Sequence, residues 1–200
     1  MPEKLAVVTT SQHLHNIGDV RKQLPNAVFA GQVLGCRADT AKNLAPKVDA
    51  FLYVGTGEFH PIRIALDSHK PVFVWNPVSK VFGQLSETQI AAYRKRVQAS
   101  LNHFYHADTI GVLISTKPGQ NNNMITSPTL ANKMNPVEQI LRRTDSKKYY
   151  LFASDTLNSA DLENFPFIQC WINLACSRIM DDKIKNLVNW QDIREHEASQ

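Results

Sequence analysis

The chain has 200 residues, 43% hydrophobic and 20% charged, with 8 glycines, 10 prolines and 3 cysteines. This excludes a disordered or collagen-like chain and leaves room for one large domain or two small ones. The net charge of +4 falls well short of the basic stripes of dedicated nucleic-acid binders, so Tyr93-Arg94-Lys95-Arg96, Leu141-Arg142-Arg143 and Lys147-Lys148 read as solvated helix faces, and no direct nucleic-acid partner is expected. No apolar run is long enough to span a bilayer and no signal-peptide profile opens the chain, so the expectation is a cytoplasmic protein with no membrane partner. Three cysteines without a secretory signal do not make a disulfide framework.

In chain order, Ala6-Val7-Val8-Thr9-Thr10, Ala27-Val28-Phe29-Ala30, Phe51-Leu52-Tyr53-Val54 and Val72-Phe73-Val74-Trp75 are short apolar, β-branched runs separated by segments of helical periodicity. That alternation is β-α-β-α-β-α-β with a mostly parallel sheet. Ser86-Glu87-Thr88-Gln89 is a capping box opening a helix with Ile90, Val97, Leu101 and Phe104 on one face. The strand pattern then begins again with Ile110-Gly111-Val112-Leu113-Ile114, Tyr149-Tyr150-Leu151-Phe152 and Trp171-Ile172-Asn173-Leu174. Val7-Val8-Thr9-Thr10 matches Leu113-Ile114-Ser115-Thr116 in pattern, a weak internal repeat. The fold class is α/β, with two tandem, similar βα units, each a mostly parallel four-stranded sheet flanked by helices. They are placed at residues 1–84 and 85–200, the bridging helix opening the second. Gly119 to Asn123 reads as a loop and Gln191 to Gln200 as a frayed tail.

Ligands of open parallel sheets bind beyond the carboxyl ends of the strands. The loops there are Thr9 to His15, Gly31 to Cys36, Gly55 to Pro61, Asn76-Pro77, Thr116 to Gln120, Ser154-Asp155 and Ala175 to Arg178. Gly55-x-Gly57 lacks the third glycine of a dinucleotide fingerprint, although its glycines suit a tight turn that lets a ligand approach the backbone. His60, before a helix-starting proline, is an N-cap or a polar contact to a ligand. His13 and His15 have no third ligand nearby for zinc, and His103 and His106 belong to the bridging helix. No C-x-x-C, G-x-S-x-G or H-E-x-x-H is present, so spacing alone leaves the cysteines as free buried thiols. The residues by themselves describe a duplicated α/β ligand binder.

Five strings go further: Val8 to His15, Gly31-Gln32-Val33-Leu34-Gly35-Cys36, Val48 to Pro61 with its Phe59-His60-Pro61 turn, Ser115 to Gln120, and Asn173-Leu174-Ala175-Cys176-Ser177-Arg178. Together, and in this order, the chain resembles the archaeal diphthamide synthase family over nearly its whole length. The resemblance implies transfer of the 3-amino-3-carboxypropyl group of S-adenosylmethionine to a histidine of translation elongation factor 2, the first step of diphthamide synthesis. The implied chemistry is radical, with a 4Fe-4S cluster, served by an electron donor, reducing the sulfonium and cleaving its bond to the aminocarboxypropyl carbon. The family fold has three similar α/β domains, each giving one cysteine to the cluster, so that one iron stays open to the sulfonium.

By this resemblance Cys36 is the second-domain ligand and Cys176 the third-domain ligand, while Cys170 packs in a strand. Ser177 stands where the family's Ala-Cys-Pro-Arg has proline. The first domain and its cysteine have no counterpart here, which implies a hetero-oligomer completed by a separate chain carrying that domain and the third cysteine. The opening Met1-Pro2-Glu3-Lys4 reads as a natural split, with a shortened chain as the alternative. The resemblance places Gly55, Thr56, Gly57 and His60 against the substrate, Gln120 and Arg178 on the methionine carboxylate, and Asp155 on its amino group. A second reading is a noncatalytic supporting subunit of the same complex, and a third an unrelated nucleotide-binding regulator.

Overall fold

In the first half of the chain, β1 (Leu5–Thr9), β2 (Val28–Gln32), β3 (Ala50–Val54) and β4 (Val72–Asn76) pair in parallel in the order β2-β1-β3-β4. In the second half, β6 (Thr109–Ser115), β7 (Lys148–Ser154), β8 (Cys170–Asn173) and β9 (Leu187–Asn189) pair in parallel in the matching order β7-β6-β8-β9. The shared order bears out the internal repeat and the α/β class read from the sequence. The computed structural model describes residues 2–33, 39–117, 135–177 and 184–200. The chain divides into two units, Met1–Arg94 and Lys95–Gln200. The division falls within α4 (Glu87–His106). No helix among the described residues is long and apolar enough to cross a membrane.

Every residue of β3 is buried, as expected of a central parallel strand covered on both faces. Helix α3 (Phe59–Ser68) follows it and buries Ile62, Ile64 and Ala65. The first sheet differs from expectation by a fifth strand, β5 (Val81–Gln84), antiparallel to β4. The turn is made by Asn76, whose Oδ1 accepts from the backbone N–H of Val78 (3.0 Å) and of Ser79 (3.2 Å). Phe82 then stacks on Phe73 at 5.9 Å. The capping box of α4 forms as expected: Ser86 N–H donates to Gln89 Oε1 at 2.9 Å and Gln89 N–H donates to Ser86 Oγ at 3.2 Å.

The core of the second unit gathers Leu101 and Phe104 of α4, Ile110 and Val112 of β6, Ile140 of α5 (Pro136–Leu141), and Cys170 and Ile172 of β8. Gly111 pairs with Trp171 across β6 and β8, and a Cβ there would overlap the indole ring. Cys170 is fully buried, and that burial pushes its thiol up to about 12. It is a packing residue, as expected.

The frayed tail is corrected. Residues Trp190–Ala198 form α7, which buries Trp190, Asp192 and Ile193. Its far end is held by Arg143, whose guanidinium bonds Glu197 and Asp145, each at 2.8 Å, and lies over the Phe104 ring. Tyr149 donates to Asp145 at 2.8 Å. Partial burial raises the Asp145 carboxyl, but the hydrogen bonds from Arg143 and Tyr149 outweigh it and hold the group below the usual aspartate range.

An aspartate with a lowered folded-state pKa contributes stability that is fully present above its unfolded pKa of ~3.9. That contribution is lost as pH falls through the folded value. Urea unfolding of Asp145→Asn and the unsubstituted chain across the acid range is expected to show a stability gap that closes as pH falls. A gap independent of pH would contradict the ion-pair account.

Candidate functional site

Parallel pairing brings the carboxyl ends of the strands, and the loops that follow them, to one edge of each sheet. In the first unit the loop after β3 is built around Tyr53. Its ring folds back over Gly55, where a Cβ would sit 2.5 Å from the phenolic oxygen. The hydroxyl donates to the Thr56 carbonyl at 3.3 Å. The ring stacks on His60, the two planes within 7° of parallel and the centroids 5.9 Å apart. Gly57 has φ +77°, a conformation that favours glycine.

Thus Gly55, Thr56, Gly57 and His60 do come together, through a tyrosine to which the sequence assigned no role. Gly55 is required by Tyr53 itself, a more local reason than ligand approach. His60 is not the N-cap of α3, a position held by Glu58. Glu58 accepts a bond from Gln89 Nε2 at 2.7 Å. A shallow cavity of about 320 Å³ opens beside this turn, lined by Gly55, Gly57, Glu58, Asn76, Gly83 and Gln89 among others.

In the second unit, β8 runs into Leu174-Ala175-Cys176-Ser177. Cys176 is partly exposed, in contrast to the buried Cys170. The loop is gripped by Asn173, the last residue of β8. Its Nδ2 donates to the Cys176 carbonyl at 3.1 Å and its Oδ1 accepts the Ala175 N–H at 2.9 Å. The same Nδ2 donates to Asn189 Oδ1 at 2.9 Å, and Asn189 Nδ2 donates to Asp192 Oδ2 at 3.0 Å. None of these three side chains was a candidate from the sequence. The available signal was a polar residue closing a buried apolar strand directly before the cysteine string.

Beside Cys176, the Ser177 Oγ is buried with no hydrogen-bond partner among the described residues, as is Thr10 Oγ1 after β1. A buried polar group left unpaired costs about 1–3 kcal/mol, so such a group beside a thiol suits a bound acceptor. A soft thiolate is the ligand type that iron-sulfur clusters take. Among the described residues no three His, Cys, Asp or Glu side chains gather to hold a metal ion, so a cluster bound at Cys176 would need thiolates from outside them. Asp155 follows β7 in the second unit and is exposed. Cys36, Gln120, Arg178 and the Gly119–Asn123 loop lie outside the described residues.

A family model described as diphthamide synthesis protein matches residues 1–186. The chain is 31% identical over 185 residues to the 2-(3-amino-3-carboxypropyl)histidine synthase of Methanocaldococcus jannaschii, covering 91% of this chain and 47% of that protein. It is 28% identical to the synthase named subunit 1 from Gallus gallus, covering 88% of this chain and 40% of that protein. The fold is similar to the crystal structure of Dph2 from Pyrococcus horikoshii with a 4Fe-4S cluster, at a TM-score of 0.75 and 23% identity, over 99% of this chain and 58% of that chain. The chain spans about half the length of the curated relatives it matches.

The Tyr53 geometry sets one expectation. Gly55→Ala should destabilise the first unit by about 1–3 kcal/mol, the cost of overpacking a tight contact. Gly18→Ala in α1 (Ile17–Gln23), where a Cβ meets nothing within 4 Å, should be neutral or stabilising. Equal effects of the two substitutions in urea unfolding would contradict the packing of Tyr53 over Gly55.

Proposed function

Because the chain belongs to the diphthamide synthesis protein family, we propose that it is one part of an iron-sulfur transferase that moves the 3-amino-3-carboxypropyl group of S-adenosylmethionine to a histidine of translation elongation factor 2. The observation that carries this reading is the loop after β8, where a partly exposed Cys176 sits beside a buried hydroxyl with no hydrogen-bond partner among the described residues. The names of the relatives support the reaction class, and the name subunit 1 of the Gallus gallus relative supports work within a complex.

In this reading Cys36 and Cys176 hold a 4Fe-4S cluster as thiolates, and Cys170, shut in the core, does not. When bound, the cluster supplies the electron that cleaves the sulfonium bond to the aminocarboxypropyl carbon. The third thiolate comes from a partner chain carrying a further α/β domain. Two thiolates from this chain and one from the partner would together hold the cluster.

The remaining residues bind and orient the substrate. Gly55, Thr56 and Gly57 present backbone at the carboxyl end of β3, with the His60 ring stacked on Tyr53 beside them. Gln120 and Arg178 take the methionine carboxylate, Arg178 through a bidentate fork, and Asp155 takes the amino group. The chain's net charge of +4 steers the encounter with elongation factor 2 in the cytoplasm.

The test is transfer in the complete assembly, with a further α/β domain supplied as a separate chain from the Methanocaldococcus jannaschii relative and the mass gain of elongation factor 2 as readout. Cys36→Ala and Cys176→Ala are each expected to lower transfer by more than the about 10–100-fold typical of losing an outer-shell partner. Cys170→Ala is expected to keep it. Transfer and cluster content unchanged in both ligand variants would contradict the reading and make this chain a supporting subunit.

A further inference from the structure

The polar chain behind Cys176 is unusual for its place in the fold. Asn173, Asn189 and Asp192 are 3%, 4% and 5% exposed, at the carboxyl ends of β8 and β9 and in the first turn of α7. The corresponding end of the first unit's central strand β3 is the fully buried Val54, so the shared topology does not itself demand a polar residue there. Buried polar groups are tolerated only when their hydrogen bonds are made. Here both functions of the Asn173 carboxamide are used. Its oxygen takes the Ala175 N–H, and its nitrogen divides between the Cys176 carbonyl and Asn189 Oδ1.

Asn189 in turn is oriented by Asp192. Its Nδ2 faces the carboxylate, which accepts and cannot donate when ionised. The Asn189 Oδ1 is therefore the end presented to Asn173. The order Asp192, Asn189, Asn173 fixes each amide in turn and ends on the two peptide groups that flank the Cys176 α-carbon's turn.

Resting on the cluster reading above, we infer that Asn173 is the positioning residue of Cys176. Backed by Asn189 and Asp192, it fixes the backbone of residues 175 and 176 so that the thiol is presented in one geometry before the cluster arrives. A ligand held by a preformed loop loses less freedom on binding than one on an unpinned turn, and small shifts of a thiolate change the electronic environment of the iron it binds.

The test compares the full chain with Asn173→Ala and Asn173→Asp, the second keeping the size of the side chain and the acceptor for the Ala175 N–H. N-ethylmaleimide alkylation is followed by peptide mass spectrometry at Cys176 and Cys170 together. Cys170 lies on the same strand as Asn173 and within the core, so loss of fold raises both rates while loss of positioning raises only that of Cys176. The expected result is an about tenfold faster Cys176 reaction in both variants with Cys170 still protected, the equivalent of about 1.4 kcal/mol of loop restraint. In the reconstituted assembly, the spin-resonance signal of Asn173→Asp should shift with its iron content unchanged.

An unchanged Cys176 rate in both variants, or a Cys170 rate rising in step with it, overturns the positioning role. The alkylation arm needs no cluster, so the two failures separate. Absence of any Cys176-dependent cluster in the unsubstituted assembly overturns the function on which the inference rests.

Discussion

Parallel strand pairing is the constraint from which the other features follow. A parallel strand has to be reached by a crossover, so each sheet is covered by helices and its strands become continuous apolar runs. β3, buried along its whole length, is the plainest case. The only polar positions such strands can carry sit at their ends, and the carboxyl ends of all the parallel strands in a sheet share one edge. Thr9 shows how strictly those ends are managed: fully buried at the close of β1, its hydroxyl donates to the Val54 carbonyl at 2.7 Å.

The two units solve the same topology with different chemistry at that edge. In the first, aromatic packing does the organising: Tyr53 covers Gly55, bonds the Thr56 carbonyl and supports the His60 ring. In the second, a chain of amides and a carboxylate does it, ending on the backbone of the cysteine loop. The distinction matters for function. A glycine-rich turn stiffened by an aromatic ring leaves backbone groups open to a small molecule, whereas an amide-pinned loop holds one side chain in place. Cys170 and Cys176 show the same economy within six positions of sequence. One thiol faces the core and is kept protonated by burial, while the other belongs to a partly exposed residue in the loop.

The strands most legible in the sequence were those whose burial is nearly complete, although β2 and β7, largely exposed, were also read from their apolar runs. β1, β3, β6 and β8 announce themselves as apolar runs because both faces are covered, and α4 because its capping residues and buried stripe lie close together in sequence. β5 was missed because Val81 and Phe82 are exposed and its strand depends on a turn made by the Asn76 side chain. β9 is three residues long. α7 looked like a tail because few of its side chains are buried, and the ion pair that holds its end joins Arg143 to Glu197 across 54 positions. At the site, the cysteine string was legible and its support was not: Asn173 finds Asn189 16 positions away, a pairing that no local pattern reveals.

The central claim is that Cys36 and Cys176, and not Cys170, bind one iron-sulfur cluster. The most direct measurement is anaerobic reconstitution of the chain with iron and sulfide, 2-mercaptoethanol supplying the missing thiolate, followed by iron and sulfide analysis and Mössbauer spectroscopy of single-cysteine variants. The account predicts that Cys170→Ala retains the cluster content of the unsubstituted chain, while Cys36→Ala and Cys176→Ala each lose it. Retention of the cluster in Cys176→Ala together with its loss in Cys170→Ala would contradict the account.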